Sequence, residues 1–354
     1  MFTSRFLTRI ATLLTILMMI LSNVQSAYAA PTNDNFAGAT LIGSLPFSVN
    51  DDTSGATFEA SEPYPSCGYG YDLKTNWLAY TPSTNVSLTA RVNYYNFPTL
   101  LAVYKGSSLD SLSEVGCGFY YNQVVFQAEA NVKYYFQISG LYGDEGTIPF
   151  SLEVTPPPQV SINYSPGDPS VFDNVSFYAN IYDPAGIYGD SYDWTISDGT
   201  TDPSSSFSHQ FAADGDYAIN LTFFTLDGRS NSANTVVQVR TRDIAINKLV
   251  VPQTARVNQT KAISVDIKNK RYSDYVQVSL YKGLPGGGEQ LIGTLTIYVP
   301  ARATRPTTFK FSYTYTAADA TVGKVTFRAE ANIIGARDAL PSDNNAIATT
   351  LVTK

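Results

Sequence analysis

Tyr192-Asp193-Trp194-Thr195-Ile196-Ser197-Asp198-Gly199 reads as a strand running into a tight turn. At a period of two, Tyr192, Trp194 and Ile196 share one face, and Asp198-Gly199 supplies residues that a sharp reversal favours. Downstream, Ser208-His209-Gln210-Phe211 leads to Asp214-Gly215-Asp216-Tyr217. From there Tyr217, Ile219, Leu221 and Phe223 alternate with Ala218, Asn220 and Thr222, which describes a strand with one buried face. Asp227-Gly228 turns it into a last strand, Thr235 to Val239. Short half-buried strands joined by such reversals need a second sheet to cover them, so this stretch is expected to be a β-sandwich.

The rest of the chain has the same character. Aromatic residues make up 13% of the 354, with 25 Tyr, 24 Gly and 19 Pro, while charged residues are only 15%. That is the composition of short strands and tight turns, and no segment sustains an apolar period of 3.6 with caps. The expected class is all-β, with room for two or three domains.

Arg5 and Arg9, an apolar run from Ile10 to Leu21 and then Ala27-Tyr28-Ala29-Ala30 read as a signal peptide, 1–29, cleaved after Ala29. The run is short for a bilayer span, and no later stretch is long and apolar enough to be one. The mature chain is expected to be secreted, either released or held non-covalently at the cell surface. Cys67 and Cys117 are the only cysteines, and in an oxidising compartment they are expected to form a disulfide.

The net charge of −7 hides a polarity. Residues 31–158 hold 4 basic and 12 acidic side chains, residues 159–242 hold 3 and 10, and residues 243–354 hold 14 and 8. Arg240, Arg242, Lys268, Lys270 and Arg271 are scattered through apparent strands and turns, so the first reading of the basic tail is a solvated surface. The sharper one is contact with an anionic surface polymer. Nucleic acid is not an expected partner of a secreted chain.

From Pro31 to Val154, Val86, Leu88, Ala90 and Val92 alternate, as do Phe150, Leu152 and Val154. Leu100-Leu101-Ala102-Val103-Tyr104, Val124-Val125-Phe126 and Tyr134-Tyr135-Phe136-Gln137-Ile138 are nearly continuous apolar runs, as expected where both faces of a sheet are covered. The order of Asn33-Asp34-Asn35-Phe36-Ala37-Gly38-Ala39-Thr40, Gly55-Ala56-Thr57-Phe58-Glu59, Asn76-Trp77-Leu78-Ala79-Tyr80 and Pro98-Thr99-Leu100-Leu101-Ala102-Val103-Tyr104 resembles the bacterial pre-peptidase C-terminal domain. That resemblance implies a β-sandwich, jelly-roll-like, of the kind appended to secreted hydrolases and surface proteins. The tyrosine-rich insert around Cys67 departs from the pattern.

Thr155-Pro156-Pro157-Pro158 reads as a stiff linker, 155–158, with few donors for any sheet. The stretch 159–242, on the motifs quoted first, resembles a PKD (polycystic kidney disease) domain, which implies an immunoglobulin-like sandwich with a packing histidine at His209. The stretch 243–354 opens with Asp243-Ile244-Ala245-Ile246 and continues with Ile263-Ser264-Val265-Asp266-Ile267 and Val276-Gln277-Val278-Ser279-Leu280. It resembles the CARDB type of bacterial cell-adhesion-related immunoglobulin-like domain. Three sandwich modules in tandem are therefore expected.

Catalytic chemistry finds little to work with. His209 is the single histidine, and a triad or a zinc site needs a free imidazole or several nitrogen and sulfur ligands. Gly286-Gly287-Gly288 lacks the lysine and following helix of a phosphate loop and reads as a hairpin tip. Asp51-Asp52 and Asp144-Glu145 are carboxylate pairs in expected loops. No enzyme is expected. Asn33-Asp34-Asn35, Asp183 with Asp190, Asp214 with Asp216, and Asp343-Asn344-Asn345 read first as turn caps. Among them Asp34, Asp214, Asp216 and Asp343 are the candidates for calcium, the one cofactor considered.

The sharper binding hypothesis concerns aromatic loops. Tyr64, Tyr69 and Tyr71 surround Cys67; Phe119, Tyr120 and Tyr121 follow Cys117; and Tyr94 and Tyr95 sit in a third turn with Phe97. A disulfide joining the first two loops would gather rings on which sugar faces stack, with Asn93, Asn96 and Asn122 bonding hydroxyls. The competing reading is ordinary cross-strand packing. The expectation is a monomeric, non-catalytic surface protein that binds extracellular polysaccharide or a cell-surface protein, with a spacer or an accessory subunit of a secreted hydrolase as alternatives.

Overall fold

The computed structural model describes residues 29–68, 70–93, 96–119, 123–187 and 189–354, without the side chains of Phe119 and Ala303. The expected signal peptide lies outside the described residues up to residue 28. Among the described residues, no helix is long and apolar enough to cross a membrane. The chain packs as two compact units: the first takes the described part of Met1–Gln159 with Tyr182–Asp190 and Phe224–Asn231, and the second takes Val160–Ile181, Ser191–Phe223 and Ser232–Lys354.

In the first unit, strands β1 (Thr40–Leu41), β3 (Lys74–Tyr80), β8 (Tyr134–Gly140), β5 (Thr99–Lys105) and β6 (Ser113–Phe119) make a five-stranded sheet in that spatial order. Strands β2 (Phe47–Asp52), β9 (Thr147–Val154), β4 (Val86–Val92) and β7 (Gln123–Ala128) make a four-stranded one. Successive strands cross between the sheets except at the β5–β6 hairpin, and the two orders are those of a jelly roll. Leu78, Leu88, Leu101, Val103, Phe136 and Phe150 fill the space between the sheets.

A second core lies on the other face of the five-stranded sheet. Trp77, Ala79, Leu100, Ala102, Tyr104 and Tyr135 form it, covered by Phe36, Phe58, Tyr71 and both cysteines. This explains why β5 is buried at six of its seven positions and β8 at all seven. The apolar run in β7 behaves otherwise. Val124 and Phe126 are buried while Val125 is half-buried, because the outer face of the four-stranded sheet is only partly covered, and β9 inside the same sheet alternates likewise. Asp51 and Asp52 are also not in a loop: they end strand β2, opposite Ile148 and Thr147.

In the second unit, β10 (Gln159–Ser165), β11 (Val175–Tyr182) and β14 (Ser206–His209) face β13 (Thr201–Asp202), β12 (Gly189–Ile196), β15 (Gly215–Thr225) and β16 (Ser230–Val239). Trp194 is fully buried between these sheets with Ile196, Ile219 and Leu221, and Tyr192 packs against them. The alternation along β15 is therefore the alternation of one buried face. A further sandwich follows, of β17 (Ile244–Val250), β19 (Thr260–Asn269) and β22 (Arg302–Thr314) against β18 (Thr254–Arg256), β24 (Asn345–Thr353), β23 (Lys324–Ile333), β20 (Asp274–Gly283) and β21 (Glu289–Val299). Gly286-Gly287-Gly288 is the tip joining β20 to β21. One helical turn, α1 (Ala317–Val322), is capped reciprocally by Thr316 and Asp319.

Candidate functional site

Cys67 and Cys117 are bonded to each other, with Cα atoms 5.8 Å apart. Of the aromatic candidates, Tyr69, Tyr94, Tyr95, Tyr120 and Tyr121 lie outside the described residues, as does Asn122. Phe119 ends β6 with its backbone opposite Leu100. Tyr71 is half-buried, meets the Tyr142 ring edge-on at 4.9 Å and packs on the second core. Tyr64, half exposed, lies 4.6 Å from the Phe58 ring. The described rings at this end are therefore packed against one another.

Open space occurs instead along the edge of the four-stranded sheet. A cleft of about 570 Å³ is lined by Asn50, Asn96, Phe97, Glu145, Thr147 and Pro149. A shallower one of about 230 Å³, lined by Ser48, Asn93 and Ser151, shares Asn50 and Pro149 with it. Together they make one groove over β2 and β9. The strand period builds it: Ser48 and Asn50 point out of β2 while Phe47 and Val49 point to the core. Asn50 is paired with Pro149 across the sheet.

The walls come from two loops. Asn93 leaves β4 with its amide bonded to the Pro149 carbonyl at 3.0 Å, and Asn96 and Phe97 follow. Opposite, Glu145 Oε2 accepts the Gly55 amide at 3.0 Å, which fixes the loop before β9. Gly146, at φ 142°, brings its backbone against the Phe97 ring, where a Cβ would sit 3.2 Å from it. The groove thus offers three side-chain amides, three hydroxyls, one ring and one carboxylate. Asn93, Asn96 and Phe97 belong to the third turn named from the sequence, where they were grouped with the aromatic loops about the disulfide rather than with this groove. Asn50 and Ser48 carried no sequence signal, because a register between strands about a hundred residues apart places them, and Glu145 was named only as half of an adjacent carboxylate pair.

The other half of this sheet face is filled within the first unit. Asp227 Oδ2 accepts from Ser87 Oγ at 2.5 Å, and Gln123 Nε2 donates to the Ala185 carbonyl at 3.0 Å. Arg229, 8% exposed, spends every guanidinium donor: on Asp227, on Asp183 and on the Pro156 carbonyl. Asn231 Nδ2 donates to the Pro158 carbonyl at 2.7 Å. The proline segment is therefore held by its carbonyls.

Asp34, Asp183, Asp214 and Asp216 have protein partners. Asp34 Oδ1 accepts the Thr57 amide at 2.6 Å. Asp214 accepts from the Thr241 amide and hydroxyl and from the Tyr272 hydroxyl, and Arg271 lies 3.2 Å away. Burial alone would raise its carboxyl, and those bonds hold it below the usual carboxylate range. Asp216 is paired with Arg240. Asp183 bonds Arg229 and the amides of Ala185 and Ile187. Asp343 sits in a 3-10 turn, where burial and then Asp338 push its carboxyl up. Among the described residues, no three His, Cys, Asp or Glu side chains form a group that could hold a metal ion. His209 Nε2 lies 2.8 Å from Asp198 Oδ2 and its ring stands edge-on to Phe211.

Comparison with curated proteins found no match. Among solved structures, the chain is similar to the PKD1 domain of Vibrio anguillarum Epp, at 20% identity over 24% of this chain and 96% of that one, with a TM-score of 0.22. It is similar to the CARDB domain of the PF1109 protein from Pyrococcus furiosus, at 17% identity over 32% and 90%, TM-score 0.27. A structure of carbohydrate-binding modules from the β-sandwich superfamily matches at 14% identity over 46% and 86%, TM-score 0.24. The family model of the PKD domain matches residues 156–240.

Proposed function

We propose that this chain is an extracellular, non-catalytic binding protein whose first sandwich takes a segment of polysaccharide in the groove over β2 and β9. The observation that carries this reading is the lining of that groove. Asn50, Asn93 and Asn96 can each donate to and accept from sugar hydroxyls, as can Ser48 and Ser151, and Phe97 supplies an apolar wall. Neutral amides and hydroxyls beside a ring suit an uncharged, hydroxyl-rich chain better than an ion or an apolar molecule. The solvent-facing site agrees with a chain that meets its polymer outside the cell.

The test is co-sedimentation of the mature chain with insoluble cellulose, chitin, xylan and peptidoglycan, beside an Asn50→Ala/Asn96→Ala variant. Retention on one polymer that falls at least about fivefold in the variant is the expected result, since two lost hydrogen-bonding side chains remove roughly 1–3 kcal/mol. Retention on none, or equal retention of both proteins, overturns the reading.

A further inference from the structure

Glu62 is a carboxyl group sealed inside the first unit, 6% exposed, and no lysine or arginine among the described residues bonds it. The Trp77 Nε1–H donates to its Oε1 at 2.6 Å. Thr75 Oγ1 lies 2.8 Å from its Oε2 and 2.9 Å from the carbonyl oxygen of Thr57. A threonine hydroxyl owns a single proton. With Glu62 ionised, that proton can serve the carboxylate or the carbonyl, and the contact left out sets two lone-pair oxygens against each other. With Oε2 protonated, Glu62 donates to Thr75 and Thr75 donates to Thr57, so the 2.8 Å and 2.9 Å contacts each have a proton and each bond polarises the next.

The surrounding groups push the same way. Burial is the largest cause and raises the carboxyl to about 7, against the bonds from Trp77 and Thr75, and Glu59 on the same segment adds repulsion. From the N-terminal turn, Asp34 accepts the Thr57 amide. From β5, Tyr104 faces the site with its hydroxyl donated to Gln137 of β8, whose amide in turn reaches the Pro63 carbonyl at 3.5 Å. No cation from these elements offsets a charge on Glu62.

Glu62 also occupies a particular place. The segment 53–65 leaves the end of β2, lays Phe58 on the second core and stops two residues short of the Cys67–Cys117 disulfide. We propose that this segment is a pH-gated strap, fastened to Trp77 and Thr75 by a neutral Glu62 and loosened when Glu62 loses its proton. Tethered by β2 at one end and the disulfide at the other, it lifts from Trp77 without unfolding the sandwich.

Amide hydrogen exchange of peptides spanning 53–65 tests this on the full chain, compared with Glu62→Gln at pH 6 and pH 8.5. Glutamine keeps the neutral pattern at both pH values, since its amide donates to Thr75 and its oxygen accepts from Trp77. Comparison at equal pH cancels the intrinsic exchange rate. The ratio of wild-type to variant exchange should rise about tenfold between the two pH values, the growth in opening for a carboxyl near 7 when closed and 4.5 when open. A ratio independent of pH overturns the proposal. So does an increase spread equally over β5 and β8, which would mark global unfolding.

Discussion

Arg229 sets its guanidinium edge against Asp183, donating from Nη1 and Nη2 to the two carboxylate oxygens at 2.6 and 2.8 Å. Both side chains are only 6% exposed. Burial alone would raise Asp183, yet the bonds from Arg229 and from the Ile187 and Ala185 amides hold its carboxyl below the usual range. Removing one partner of such a pair leaves a buried charge uncompensated, which costs about 3–5 kcal/mol. Arg229→Ala should lower the guanidinium unfolding midpoint accordingly, and Arg229→Lys, which keeps the charge but not the fork, should cost less. An Arg229→Ala midpoint equal to wild type would mean that the cluster contributes no net stability.

The disulfide closes a loop of 50 residues. On the chain-entropy account, Cys67→Ser/Cys117→Ser should destabilise the first unit by about 4 kcal/mol. Calorimetry of wild type in reducing buffer should reproduce that loss, while the transition of the second unit stays where it was.

Lys282, Asp319 and Tyr313 form a second buried polar group, within the last sandwich. Lys282 Nζ donates to Asp319 at 2.7 Å and to the Tyr313 hydroxyl at 2.6 Å, with Lys282 and Asp319 side chains 13% and 4% exposed. Asp319 also closes the α1 cap with Thr316. Lys282→Met should cost about 3 kcal/mol by stranding Asp319, and Asp319→Asn, which removes the charge but can keep the cap, should cost less. Chemical denaturation of the two variants compares them directly.

What the sequence showed and what it hid divide along one physical line. Trp194, Ile196 and the alternation from Tyr217 to Phe223 reported their burial because a strand's period is local. So did the doubly covered runs in β5 and β8. The reading of Val124-Val125-Phe126 as doubly covered failed because what packs over the sheet's outer face, not composition, decides whether a second face is buried. Arg229 could not be paired in advance with Asp183, 46 residues away, or with the Pro156 carbonyl. The segment around the prolines looked like a bare spacer because its useful groups are acceptors, and every residue has one of those. The turn that carries Asn93, Asn96 and Phe97 was named from the sequence as part of an aromatic cluster, while its place beside Asn50 depended on a strand register.

The opposed carboxyls give the fold a stability profile whose sign can be worked out. Asp183 and Asp227 are lowered, so each contributes stability that is present above the ordinary carboxylate range and is lost as pH falls through their folded values. Glu62 is raised to about 7 from 4.5, so the folded state holds more protons than the unfolded one between those values. Its effect is to lower stability as pH rises through that window, by at most roughly 3 kcal/mol in total, and to change nothing further above it. Wild type should therefore be most stable in mildly acidic buffer and lose stability toward neutrality. Glu62→Gln removes the titration, so its unfolding free energy should stay level from pH 5 to pH 8 while that of wild type falls. Urea unfolding of the two proteins at half-unit pH steps measures the difference. Parallel curves would place the Glu62 carboxyl at its ordinary value and leave the neutral network without a role.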